Sequence, residues 1–253
     1  MRRGFSLVEL SIVLVILGLL VGGILAGRSL IRASELRAVV TDMDKYQSAT
    51  LAFRDKYFGL PGDIRNATAF WGAAADCSAQ TETGQATCNG GGNGSIVWGS
   101  PTNNRSETFL FWQHLSNAGL IEGAYTGVRG PGTYGASHAP GVNSPLIMDK
   151  GCVTAAQTSL FTSNVMHPAP TARNHFVIGG ATGANPDYCY GHLLKPEEQW
   201  NIDSKTDDGI AHSGKVFGWM RTGCYTNLTP GSGDYNLSSN AAYCSLLFAM
   251  KAL

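Results

Sequence analysis

Between Phe5 and Gly27 the chain carries a single charge, Glu9, inside the N-terminal run MRRGFSLVELSIVLVILGLLVGGILAG. A lone carboxylate costs on the order of 2.5–3.5 kcal/mol at the centre of a membrane. A chain that keeps that cost uses the charge. Asp203, Asp207 and Asp208 form a second group, just before Gly209. Three carboxylates ahead of a glycine suggest a loop for a hard cation such as calcium, yet Lys205 stands where an EF-hand-type loop needs an oxygen ligand. The competing reading is a helix exit and tight turn, with Asp207 and Asp208 accepting from backbone amides.

Cys77, Cys88, Cys152, Cys189, Cys224 and Cys244 are an even six, all beyond the apolar run. They favour an oxidising compartment and allow about 15 pairings. Nearest-neighbour pairing is expected, 77–88, 152–189 and 224–244, each closure removing about 3 kcal/mol of unfolded-state freedom. The absence of C-x-x-C spacing argues against zinc and redox chemistry. Gly209–Lys215 matches G-x-x-x-x-G-K, but Val216 stands where Ser or Thr should hold magnesium, and no buried strand is expected before it. There is no G-x-S-x-G. His114, His138, His167, His175, His192 and His212 show no metal spacing, and His114 reads as a satisfied core residue. No enzyme is expected.

The apolar run must be positioned by a helix. Its length of about 23 residues gives roughly 34 Å, enough to cross a bilayer core. Gly18/Gly22 and Gly23/Gly27 form two G-x-x-x-G pairs, which allow close helix approach in lipid. Past Gly27, Leu36, Val39, Val40, Met43, Tyr46, Thr50, Phe53 and Tyr57 recur at steps of three or four, the mark of an amphipathic helix. Together these halves predict one helix of roughly 80 Å from Phe5 to Tyr57, stopped by Leu60-Pro61-Gly62-Asp63. Arg28 and Arg32 pull their side toward the cytoplasm while Arg2 and Arg3 pull the other way; the cysteines decide for export of the body. An ordinary secretory signal fits less well, because the apolar run is too long and the basic region is only Arg2–Arg3.

From about 59 to 253 the chain is glycine-rich and sparsely charged, long enough for a single core. Helices are expected at Glu107–Leu115, with Ser106 and Gly119 as caps, and from Pro196. Strand candidates are His175–Gly179, Tyr188–Leu194, Lys215–Arg221 and Ala242–Met250. Segments 76–106 and 123–150 read as irregular insertions. The formal net charge is zero, and no basic patch suggests nucleic acid as a required partner.

The leader and G-F-S-L-V-E-L (4–10) resemble the signal of type IV prepilins and type II secretion pseudopilins. Further resemblance to large pilin-like proteins appears at F-R-D-K-Y-F-G-L-P-G-D (53–63), F-W-Q-H-L-S-N-A-G-L-I-E-G (111–123) and N-I-D-S-K-T-D-D-G (201–209). The resemblance implies cleavage after Gly4 by prepilin peptidase, methylation of Phe5, and a role for Glu9 in assembly. Phe5 and Glu9 are i and i+4, so they share one helical face. The freed Phe5 amine is then a cation that Glu9 of a neighbouring copy neutralises. An α+β pilin-like fold follows: leader 1–4, membrane and assembly half 5–27, amphipathic half 28–58, and a head over 59–253 on a small antiparallel sheet with disulfide-stapled loops. Some pseudopilins use calcium to fix a loop, and the 224–244 bridge is similar to the C-terminal loop of type IVa pilins. The implied partners are copies of itself or related pilins, the peptidase and an inner-membrane assembly machine. The implied location is the inner membrane first, then an extracellular or periplasmic filament. The alternatives are a minor pilin or pseudopilin, and a membrane-tethered adhesin that never polymerises.

Overall fold

In a computed structural model the described residues are 6–77, 84–97, 106–130, 138–157, 165–166, 174–181 and 189–251. Helix α1 runs unbroken from Leu7 to Tyr57, 51 residues, or about 77 Å. Ser6 caps its start: the Ser6 hydroxyl accepts the Val8 N–H, and Glu9 accepts the Ser6 N–H in return. The helix ends at Tyr57, ahead of Pro61, because Phe58 takes a left-handed backbone and its N–H returns to the Arg54 carbonyl at 2.8 Å. No residue of α1 is buried before Val39; Val39, Met43, Tyr46, Gln47, Ala49, Thr50 and Phe53 are buried, along the stripe that the periodicity predicts.

Three shorter helices follow, α2 (Ala67–Trp71), α3 (Glu107–Asn117) and α4 (Pro196–Thr206). Five antiparallel strands form one sheet in the order β1-β2-β3-β5-β4: β1 (Leu146–Ile147), β2 (Gly151–Gln157), β3 (Asn174–Gly180), β4 (Val216–Gly218) and β5 (Leu246–Ala249). The fold is α+β. Three disulfides staple it, Cys77–Cys88, Cys152–Cys189 and Cys224–Cys244.

Alternate residues of β3 serve two cores. Phe176 and Ile178 pack with Tyr46 and Phe53 of α1 and with Phe111, Trp112 and Leu115 of α3. Val177 faces the other side, with Ala156, Phe217, Leu247 and Trp219. Both faces are therefore covered, which removes the apolar–polar alternation that marks a half-exposed strand. Three expectations fail for that reason or a related one. Strand β2, with small residues and both faces buried, gives no periodic signal and was not expected. Strand β1 lies inside the stretch 123–150 read as irregular. Conversely, 188–194 forms no strand where described: Gly191 and Leu194 make single bridges to Gly180 and Cys244, and the chain then turns into α4 at Pro196.

Candidate functional site

The apolar half of α1 is the largest exposed hydrophobic feature among the described residues, with Leu7 86 % and Leu19 73 % accessible. It is long and apolar enough to cross a membrane, by length and composition. Within it Ser11 donates its hydroxyl to the Val8 carbonyl at 2.9 Å, and Glu9 is the one charged group. Glu9 sits in the first turn, where the helix dipole favours a carboxylate, and holds the Ser6 N–H at 2.8 Å. Gly4 and Phe5 lie outside the described residues. A Cβ at Gly18, Gly22, Gly23 or Gly27 would meet nothing within 4 Å. Packing inside this chain therefore does not require glycine at those positions, whereas the close approach of another helix does.

At the base of the head, Arg32 grips Glu198 with two bonds, Nε to Oε1 at 2.6 Å and Nη2 to Oε2 at 2.7 Å. Arg32 also donates to Glu35 at 3.0 Å and to the Leu193 carbonyl at 3.2 Å. Glu198 in turn accepts the Lys195 N–H that opens α4. Burial alone would raise the Glu198 carboxyl, but the Arg32 guanidinium and the Lys195 amide hold it below its usual range. This paired fork fixes the body to the helix one turn past the apolar run. The sequence reading missed it. Arg32 reads as a topology charge and Glu198 as a first-turn acid, and no local pattern joins residues 166 apart.

The structure brings Asp203, Asp207 and Asp208 together, with one oxygen from each within 4.8 Å of the others. Protein donors already use these oxygens. Buried Asp203 accepts the Tyr235 hydroxyl at 2.7 Å and the Gly209 N–H at 3.3 Å. Asp207 accepts the Lys215 and Val216 amides, and Asp208 the Ile210 amide and the Ser213 hydroxyl. The G-x-x-x-x-G-K segment thus turns its Lys215 N–H onto a carboxylate of its own chain.

Burial, with repulsion from Asp208 and Asp207, pushes Asp203 up to about 7, against the opposing hydrogen bonds from Tyr235 and Gly209. A raised carboxyl binds a proton in the folded state that the unfolded chain releases. Its stabilisation is complete below about pH 4 and declines as pH rises through 7. His114 and His138, each lowered to about 3 by burial, act oppositely below pH 6.5. The Asp203 contribution is therefore read against Asp203→Asn at each pH. From pH 5 to pH 8 the parent should lose about 1–2 kcal/mol relative to the variant, after discounting for screening. Denaturant melts measure it, and parallel pH profiles would remove Asp203 from the account.

His114 is a core residue. Its Nδ1 accepts the Gly62 N–H at 2.9 Å, so Nε2 holds the proton and donates to Thr87 Oγ1, 2.9 Å away. The Thr87 hydroxyl continues to Gln113 at 2.8 Å. His138 is bonded to Thr154 at 2.8 Å, and His167 lies outside the described residues. Sequence reading also missed the acids that hold the glycine-rich loop 90–97: Asp63 accepts the Asn93 and Gly94 amides, and Glu107 those of Gly91 and Val97.

Residues 1–25 match the prokaryotic N-terminal methylation motif. The chain therefore carries a type IV prepilin or pseudopilin signal ahead of a long helix and a disulfide-stapled α+β head. The motif supports a type IV pilin-like or pseudopilin protein, prepilin-type processing and a membrane-anchored precursor, and it points to a structural family rather than an enzyme family. No curated protein and no solved structure matches the chain.

Proposed function

We propose that the chain is a structural subunit of a type IV pilus or pilus-like filament, cut after Gly4, methylated at Phe5 and assembled through residues 5–27. The observation that carries this reading is the wholly exposed apolar half of α1 with its four glycines in open space. In lipid that surface is satisfied by acyl chains; outside lipid it needs other helices of the same kind. The head stays clear of the interface, held by the Arg32–Glu198 fork and packed on residues 39–53 of α1. The disulfides fit delivery of the head to an oxidising compartment.

The Asp203 loop serves this subunit as a hydrogen-bonded turn. Calcium at about 1 mM should leave the melting temperature unchanged, because a cation must displace the Ser213 and Lys215 donors; an upward shift would instead assign the cluster to a cation.

Expression of the full-length chain with a prepilin peptidase, platform protein and assembly ATPase tests the function. The chain should appear in filaments sheared from the cells. Complete retention in the membrane, with a functioning machine assembling other subunits, would favour the tethered adhesin.

A further inference from the structure

At the far end of α1, roughly 45 Å beyond the apolar run, Phe58 combines two costly features. Its backbone has φ 59°, a left-handed conformation that suits glycine at a helix cap, although glycine follows only at position 59. Its side chain is 93 % accessible, more than any other large apolar side chain among the described residues. Strain and a wet aromatic ring at one residue point to a function other than stability.

Phe58 lines a cleft of about 670 Å³ with Arg54, Arg65, Asn66 and the glycine-rich loop at Gly92 and Gly94, a volume within the range of ligand sites. Arg54 has only a long contact to its neighbour, 3.8 Å to exposed Asp55, a pair of little strength in water. Arg65 donates Nε to the Gly91 carbonyl at 2.7 Å, which leaves its Nη groups for an acceptor in the cleft. A Cβ at Gly92 would collide with the Arg65 side chain, so the loop holds that arginine in place. Asn66 heads α2 without a side-chain capping bond. Among the described residues the one acid lining the cleft, Asp63, is buried and already accepts the Asn93 and Gly94 amides at 3.0 and 2.8 Å.

We propose that this cleft binds an acidic oligosaccharide. A sugar ring lays its C–H face on the Phe58 ring, its carboxylate takes the Arg65 guanidinium with Arg54 beside it, and its hydroxyls bond Asn66 and the loop backbone. The planar guanidinium fork suits a carboxylate. A nucleic acid strand needs a row of cations for successive phosphates and a run of stacking rings, whereas Asp55 interrupts the basic residues here. The assignment applies equally to a polymerised subunit and to a tethered one.

Calorimetric titration of the full-length chain in detergent micelles tests it, with trigalacturonate, neutral maltotriose and a dT hexamer as separate arms. Trigalacturonate should bind with a Kd of about 0.1 mM, and maltotriose and the hexamer at least tenfold more weakly. Arg65→Gln should weaken trigalacturonate about tenfold. Phe58→Gly should do the same with a Tm equal to or above the parent's, since glycine accepts the left-handed backbone. That split separates a binding role from a structural one. No heat from trigalacturonate at about 10 mM, equal or tighter binding of maltotriose or the hexamer, or unchanged affinity in either variant overturns the proposal.

Discussion

Glu9→Ala is expected to stop filament assembly while leaving membrane insertion intact. Insertion survives because the substitution makes an apolar segment more apolar. Assembly fails because each incoming subunit then carries a Phe5 amine into an apolar bundle without its carboxylate partner. An unpaired charge at membrane depth costs on the order of 2.5–3.5 kcal/mol, enough to weaken each addition about 100-fold. Glu9→Gln should assemble poorly too, since it keeps the shape and loses the charge. Immunoblots of sheared and membrane fractions report both quantities, and normal filament yield would remove Glu9 from the mechanism.

Trp112→Ala should unfold the head or bring it close to unfolding. Trp112 is fully buried and joins three elements, with ring centroids 5.1 Å from Tyr46 of α1, 4.9 Å from Phe111 of α3 and 6.1 Å from Phe176 of β3. Truncating so large a core side chain costs about 3–5 kcal/mol, a large part of the 5–15 kcal/mol that holds a typical domain. Trp112→Phe should cost much less. The indole N–H has no hydrogen-bond partner among the described residues, so the smaller ring loses area but also removes a buried orphan donor. Denaturant unfolding of both variants checks the contrast, and equal losses would contradict it.

The long helix was legible because two independent periodicities, a continuous apolar run and a stripe at steps of three and four, abut at Gly27. Its end at Tyr57 falls where the stripe stops, but the device that ends it was hidden: Pro61 is the visible breaker, yet Phe58 closes the helix with an αL backbone that nothing in its side chain announces. Strand β2 was illegible for a different reason. Gly151, Ala155 and Ala156 are small because the strand is enclosed by both cores, and small residues carry little strand preference. In the candidate site, the turn chemistry of Asp207 and Asp208 was readable, since acids before glycine favour backbone amides. The elevated proton affinity of Asp203 was not, for it arises from burial, which only the folded chain supplies, with repulsion from Asp208 and Asp207 adding to it against the opposing Tyr235 hydrogen bond. Nor was the Arg32–Glu198 fork, whose partners meet only when α4 docks on α1.

The intact mass of the chain recovered from filaments tests the central claim most directly. Processing at the prepilin-type signal predicts a protein that begins at Phe5, keeps its three disulfides and is heavier by one methyl group. A filament protein that begins at Met1, or is cut near Gly27 so that the apolar half is lost, would contradict the account.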